Sequence, residues 1–212
     1  MSEQVVVRQA RPADVRAIYE LVQPYAERRI LVAKELIDYF EAVQEFVVAE
    51  EPGAGGAAGS GGRASDVGGT DARGAAPGGR ASDAGGTGSE AAGSGNGASI
   101  LGCGALHVLW DDIAEVRTLA VAPEAAGRGI GRRLLGTLVN RARNLGLRRV
   151  FCLTFEVDFF RRHGFEVIAG TPVGTDVYAQ MLRSHDDGVA EFLDLARVKP
   201  NTLGNSRMLL EL

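Results

Sequence analysis

The chain has 212 residues and a formal net charge of −4, which suits one ordinary domain and lacks the basic excess of a protein that tracks nucleic-acid phosphates. No apolar run reaches the length needed to span a bilayer, and the start, MSEQVVVRQARPADV, has no apolar stretch of signal-peptide length. The expectation is a cytoplasmic protein with neither nucleic acid nor membrane as partner, its two cysteines, Cys103 and Cys152, being buried thiols without metal-ligand spacing.

QVVVRQA (residues 4–10) reads as a first strand, and Pro12 opens a helix whose Val15, Ile18, Leu21, Val22 and Tyr25 share one face. Pro24 is expected to kink or end it. AKELIDYFEAV (33–43) is a second helix and EFVVAE (45–50) a strand. From Pro52 to about Ala98 the chain is almost entirely Gly, Ala, Ser, Asp, Thr and Arg, and GGRASDVGGT (61–70) recurs as GGRASDAGGT (78–87). Such a composition cannot bury a core and reads as a disordered surface loop over residues 52–98. Lengthening a hairpin loop from about 5 to about 47 residues adds only roughly 2 kcal/mol of closure entropy. Residues 1–212 are therefore read as a single domain interrupted by this loop.

SILGCGALHVLW (99–110) and IAEVRTLAVAP (113–123) form two strands joined by a tight turn at Asp111 and Asp112. Next comes a helix with Ile130, Leu134, Leu135, Leu138, Val139, Ala142 and Leu145 at helical spacing and Gly146 as its stop. RRVFCLTF (148–155) is a central strand with an exposed start at Arg148 and Arg149. VDFFRRHGFEVI adds a short helix, a glycine and a strand, with His163 expected in solvent. DDGVAEFLDLARV (186–198) has helical periodicity and can serve as core, as a lid or as a dimer face. KPNTLGNSRMLLEL ends as an edge strand. The fold class is α/β (α+β), with a sheet of six to seven strands.

Between the strand ending at Val121 and its following helix, the stretch PEAAGRGIGRRLL places three glycines, Gly127, Gly129 and Gly131, in five positions. A Walker loop would need a lysine and a hydroxyl residue after the glycines, and neither follows. A dinucleotide fingerprint would need a small residue where Arg132 stands. What remains is a turn leading into a helix N-terminus, where free N–H groups and the positive end of the helix face one point in space and suit a pyrophosphate.

VRTLAVAPEAAGRGIGRRLL, followed by RRVFCLTF and FFRRHGF, resembles the Gcn5-related N-acetyltransferases, the GNAT family. AERRILVAKELIDYFEAVQEFVVAE, GCGALHVLW and KPNTLGNSRMLLEL are similar to the acetyltransferase domain of N-acetylglutamate synthases, particularly a short actinobacterial type. The resemblance implies a mixed, mostly antiparallel sheet flanked by helices on both faces. It also implies acetyl-coenzyme A as co-substrate, no metal, and the first step of arginine biosynthesis. It puts the pyrophosphate on Gly127, Arg128, Gly129, Ile130, Gly131 and Arg132, and the pantetheine arm along Leu119, Ala120 and Val121, whose strand parts from the next to make a slot. Two positions depart from the family: Ala126 stands where Arg or Gln is common, leaving Arg128 and Arg132 to supply charge. Phe160, grouped with the cofactor residues, stands where many relatives carry a tyrosine acid. The arginine-binding kinase domain of long synthases has no room here.

The chemistry can be argued from the amine. An α-ammonium must lose a proton before it attacks a thioester, and Glu115, on the strand leading to the cofactor, is the candidate base. A backbone N–H near Val121 is the candidate oxyanion donor. A thiol leaving group with a pKa of about 8.5 departs without a strong acid, so water or Thr154 suffices. The carboxylates of glutamate call for cations, for which Lys34, Arg117, Lys199 and Arg207 are available, with Asn205 and Ser206 as neutral donors. Glutamine would need one clamp fewer. The alternatives are a transferase acting on another small-molecule amine or a protein N-terminus, and a non-catalytic module that binds acetyl-coenzyme A.

Overall fold

In the computed structural model the described residues are 5–51, 99–198 and 204–212. The reading of residues 52–98 as a disordered loop, and Lys199, lie outside them. Strands β1 (Val6–Gln9), β2 (Phe46–Glu50), β3 (Ile100–Val108), β4 (Ile113–Val121), β5 (Arg149–Thr154), β6 (Glu166–Val167) and β7 (Ser206–Glu211) form one sheet in the order β1-β2-β3-β4-β5-β7-β6. Every pairing is antiparallel except that of β4 with β5.

Both faces are covered, which is why β2 is apolar over its first four residues: Val47 and Ala49 point to one core, Phe46 and Val48 to another. Helix α3 (Ile130–Asn144) supplies Ile130, Leu134, Leu135, Leu138, Val139 and Ala142 to the first core, each large side chain contributing about 2 kcal/mol on burial. Helices α1 (Val15–Glu27) and α2 (Leu36–Glu41) cover the opposite face through Val15, Ile18, Val22 and Tyr39. A third core joins Phe151 and Leu209 to Met181 of α5 (Thr175–Met181) and to Val189 and Phe192 of α6 (Asp187–Phe192). The short α4 (Val157–Arg161) follows β5.

Four sequence expectations are corrected. Helix α1 runs on through Pro24 to Glu27, so the proline does not end it there: a proline removes one backbone bond, while buried Val22 and the Tyr25 hydroxyl, bonded to the Val121 carbonyl at 2.5 Å, anchor the last turn. Strand β7 lies inside the sheet, because it pairs with β5 over six residues and with β6 over two, which leaves β6 as the edge. Arg149 pairs with Asp112 at 3.0 Å, so β5 does not begin with an exposed pair of arginines. His163 is half-buried, its Nδ1 lying 2.8 Å from the Phe159 carbonyl. Residues 187–192 belong to the core, and α5 is a helix that the sequence pattern did not mark out.

Two irregularities position the site. Cys103 pairs with Ala120 and Ala105 with Arg117, so Thr118 and Leu119 oppose Gly104 alone. This bulge puts Thr118 at φ +55°, a strained conformation for a β-branched residue, and bulges bend the strand that carries them. The parallel ladder of β4 with β5 spans only Ile113–Glu115 against Arg149–Phe151. Beyond Glu115 the two strands part, and β5 continues on β7 alone.

Candidate active site

The glycine turn sits at the open end of this gap. After a single turn of 3-10 helix at Pro123–Ala125, Gly127 and Gly129 take φ of +78° and +75°, and Gly129 caps α3. Left-handed backbone costs a side-chain-bearing residue roughly 1–2 kcal/mol, so glycine is needed for conformation, not for space. The first backbone bond into the helix is Arg133 N–H to the Gly129 carbonyl, at 3.2 Å. The N–H groups of Ile130, Gly131 and Arg132 are therefore the unsatisfied donors of a helix start. Gly127, Arg128, Gly129 and Arg132 are exposed. Such an exposed, uncrowded run of donors at a helix start is of the kind that suits a pyrophosphate. Arg128 is ion-paired with Glu51; Arg132 has no ion-pair partner among the described residues.

Beside the turn runs the gap. Ala122 N–H donates to the Leu101 carbonyl at 2.8 Å, and alternation along the strand turns the N–H and C=O of Val121 the other way, toward β5. The Tyr25 hydroxyl meets that carbonyl. The bodies of Leu119 and Val121 are half-buried, and that of Ala120 is buried. Phe159, not Phe160, lies against the first turn of α3, its ring 3.6 Å from where a Gly131 side chain would begin. Phe160 points into the core, edge-on to Phe159 and Phe165. The parity of a one-turn helix, α4, decides between the two rings.

At the closed end of the gap stands Glu115, 4 % exposed. Arg117 Nε and Nη2 hold its Oε2 at 2.9 and 2.7 Å, and the same guanidinium reaches Asp186 at 3.0 and 3.1 Å. Asp186 caps α6 by accepting from Val189 N–H at 3.0 Å. Gly188, on that helix, approaches so closely that a Cβ would collide with Glu115 Oε2 and lie 2.5 Å from Arg117 Nη2. Burial pushes the Glu115 carboxyl above its ordinary value; Arg117 pulls it down and Asp186 pushes it up again. Burial opposes the ionisation of Asp186 too, but its bonds to Arg117 outweigh this and hold it at about 2. Glu191, 6 % exposed and three residues beyond Gly188, is pushed up to about 8 by burial and then by Glu115. Its Oε1 has no hydrogen-bond partner among the described residues.

His107 stands directly across β3 from Glu115. Its Nδ1 is 2.6 Å from Glu45 and its Nε2 3.8 Å from Asp186. Thr154 is buried and accepts from Glu156 N–H at 2.9 Å, which leaves its own proton to donate. The proposed substrate cations differ in what they touch. Arg117 is engaged by two carboxylates, and Arg207 donates to the carbonyls of Glu191, at 3.2 Å, and Phe192, with its guanidinium 5.9 Å over the Phe151 ring. Lys34 is half-buried in the segment before α2, with no ion pair among the described residues. Asn205 immediately precedes β7, and Ser206 begins it, paired with Thr154. Among the described residues no cluster of three or more His, Cys, Asp or Glu side chains could hold a metal, and no helix is long and apolar enough to cross a membrane.

The sequence did not single out Tyr25 as more than a core residue, nor His107, Asp186, Gly188, Glu191 or Phe159. Only the DDG at residues 186–188, an N-cap signal with a glycine behind it, carried a local clue.

Comparison with known proteins accords with this architecture. Residues 86–165 match the Acetyltransferase (GNAT) family. The chain is 47% identical over 207 residues to an amino-acid acetyltransferase of Mycobacterium tuberculosis, covering 98% of this chain and 94% of that one. The crystal structure of Rv2747 from Mycobacterium tuberculosis, in complex with CoA and NLQ, superposes with a TM-score of 0.73 at 47% identity, over 98% of this chain and 99% of that one. An N-acetylglutamate synthase from Neisseria gonorrhoeae, complexed with coenzyme A and N-acetyl-glutamate, shares the fold. Its TM-score is 0.63 at 20% identity, over all of this chain and 36% of that one. The chain belongs to the GNAT family of acetyltransferases.

Proposed function

We propose that the protein transfers the acetyl group of acetyl-coenzyme A to the α-amine of glutamate or glutamine by direct attack, as an amino-acid acetyltransferase. The observation that carries this is the position of Glu115: a buried carboxylate where β4 and β5 part, on the strand that runs on to the glycine turn. The N–H groups of residues 127–132 would hold the pyrophosphate, and the strand edge at Leu119–Val121 would take the amide arm as a further strand. The raised affinity of Glu115 for protons suits it to take one from the α-ammonium. The Val121 N–H faces the gap, where a thioester oxygen would gain charge. Thr154 has a proton to offer the departing thiolate. The names of the mycobacterial relative and the ligands of the Rv2747 structure support an amino acid as acceptor.

A second reading has its own support. Arg117 and Arg207 spend their donors inside the protein, while Glu115, Asp186 and Glu191 crowd together, an arrangement that would also receive a second amine. Thiol release from acetyl-coenzyme A against a panel of amino acids and polyamines decides. Turnover with glutamate or glutamine is expected; silence with both and turnover of a polyamine would replace this proposal by its rival, and binding without turnover of any amine would leave a coenzyme-binding module. In the same assay Glu115→Gln should lower kcat by about 10²–10⁴-fold and leave the KM for acetyl-coenzyme A unmoved.

A further inference from the structure

A base that has taken the substrate's proton must lose it before the next turnover, and the surroundings of Glu115 close most routes. Gly188 of α6 covers its Oε2. Arg117, its hydrogen-bond partner, carries a guanidinium that does not release protons in proteins. Asp186, bonded to the same guanidinium, is held as a carboxylate. Glu191 is as deeply enclosed as Glu115 itself.

His107 differs. It is the residue directly opposite Glu115 in the β3–β4 ladder, and directly opposed residues project their side chains to the same face with Cβ atoms about 5 Å apart. That is within reach of one bridging water. Its side chain is 25% exposed and its Nδ1 is 2.6 Å from Glu45, itself 26% exposed. The ladder thus sets an imidazole between the buried base and a partly exposed carboxylate. The groups facing the ring are Glu45 from the turn before β2, Asp186 from the cap of α6, and Glu115 with Arg117 from β4. Three carboxylates and one guanidinium thus surround it. Imidazole is also the side chain whose ordinary titration lies nearest neutrality.

We infer that His107, oriented by Glu45, is the relay that carries the proton from Glu115 to solvent after each acetyl transfer. The inference rests on Glu115 being the base. The balance is simple. The α-ammonium gives H+ to the Glu115 carboxylate, leaving a neutral amine and a carboxylic acid. The acid gives H+ to the His107 imidazole and returns to carboxylate, and the imidazolium gives H+ to water at the Glu45 side. His107 never touches the substrate, so it acts on the recovery of the base and not on the transfer.

That division supplies the test. The full chain and its His107→Gln, Glu45→Gln and Glu115→Gln variants are mixed at pH 8 with acetyl-coenzyme A and the preferred amino acid of the panel, and thiol release is followed from the first turnover. For His107→Gln the first thiol per active site should appear at the wild-type rate, which also reports an intact fold. The steady rate should fall tenfold or more and be restored by added imidazole. Glu45→Gln should show the same pattern with a smaller fall. Equal loss in both phases without rescue by imidazole, or no loss in either, would overturn the relay. Glu115→Gln should lose the first turnover itself; if it keeps it, the assignment of the base fails, whatever His107 does.

Discussion

The two ends of the gap between β4 and β5 both handle charge, by opposite means. At the open end, one contiguous stretch, residues 127–132, carries the backbone N–H groups, and Gly127 and Gly129 are needed there for their left-handed torsions. At the closed end, Glu45, His107, Glu115, Arg117, Asp186 and Glu191 meet from four separate segments, and each acts through its side chain. The first depends on local backbone geometry and tolerates changes of side chain. The second depends on how α6 seats on the sheet, and small displacements there reach the reacting group.

The sharpest way to break this contrast is Gly188→Ala. Its methyl must displace Glu115 Oε2 or Arg117, and misplacing a reacting group by about 1 Å costs roughly 10²-fold. We expect kcat to fall by about that factor with the KM for acetyl-coenzyme A unmoved; unaltered kcat would show that α6 is not seated on the base during turnover. Gly129→Ala probes the open end, where a methyl meets nothing but the backbone must hold φ +75°. The strain of roughly 1–2 kcal/mol should raise the KM for acetyl-coenzyme A by about tenfold with little change in the amino-acid KM.

Glu191→Gln should act on stability. The folded carboxyl binds its proton up to about pH 8, whereas an exposed glutamate releases it near pH 4.3. Its contribution is thus fully present below about pH 4.3 and is lost as pH rises through about 8. Wild-type melting temperature should decline over that window, and the variant's decline should be shallower by about a few degrees. The smallest effect belongs to the removal of residues 53–97. Glu51 N–H bonds the Ser99 carbonyl at 3.4 Å where β2 and β3 adjoin, so a short hairpin turn can replace residues 53–97. Melting temperature and turnover should stay close to wild type; a collapse of either would show that the segment takes part in folding or catalysis.

The open end was legible because its signal is contiguous: a strand, a glycine-rich turn and an amphipathic helix occur in that order within residues 113–145, and local torsions and helix caps do the rest. Glu115 was legible as a carboxylate on the strand leading there. Its surroundings were not, and the hairpin shows why. A two-residue turn at Asp111 and Asp112 would pair His107 with Val116, but the observed turn spans residues 109–112, with both Leu109 and Trp110 bonding the Ile113 carbonyl, and His107 pairs with Glu115. A slip of one residue puts a strand's side chains on the opposite face. Phe159 and Phe160 pose the same problem at one helical step.

The sequence by itself determined the order of strands and helices apart from α5, the apolar faces and the glycine turn, since each follows from periodicity, glycine torsions and caps acting over a few residues. Only the tertiary structure decided that β7 inserts beside β5, that α6 lays Gly188 on Glu115, and that Arg117 and Arg207 turn inward to hold that helix. These depend on where segments far apart in the chain come to rest, and a side chain's proton affinity and partners are set by the neighbours it meets there.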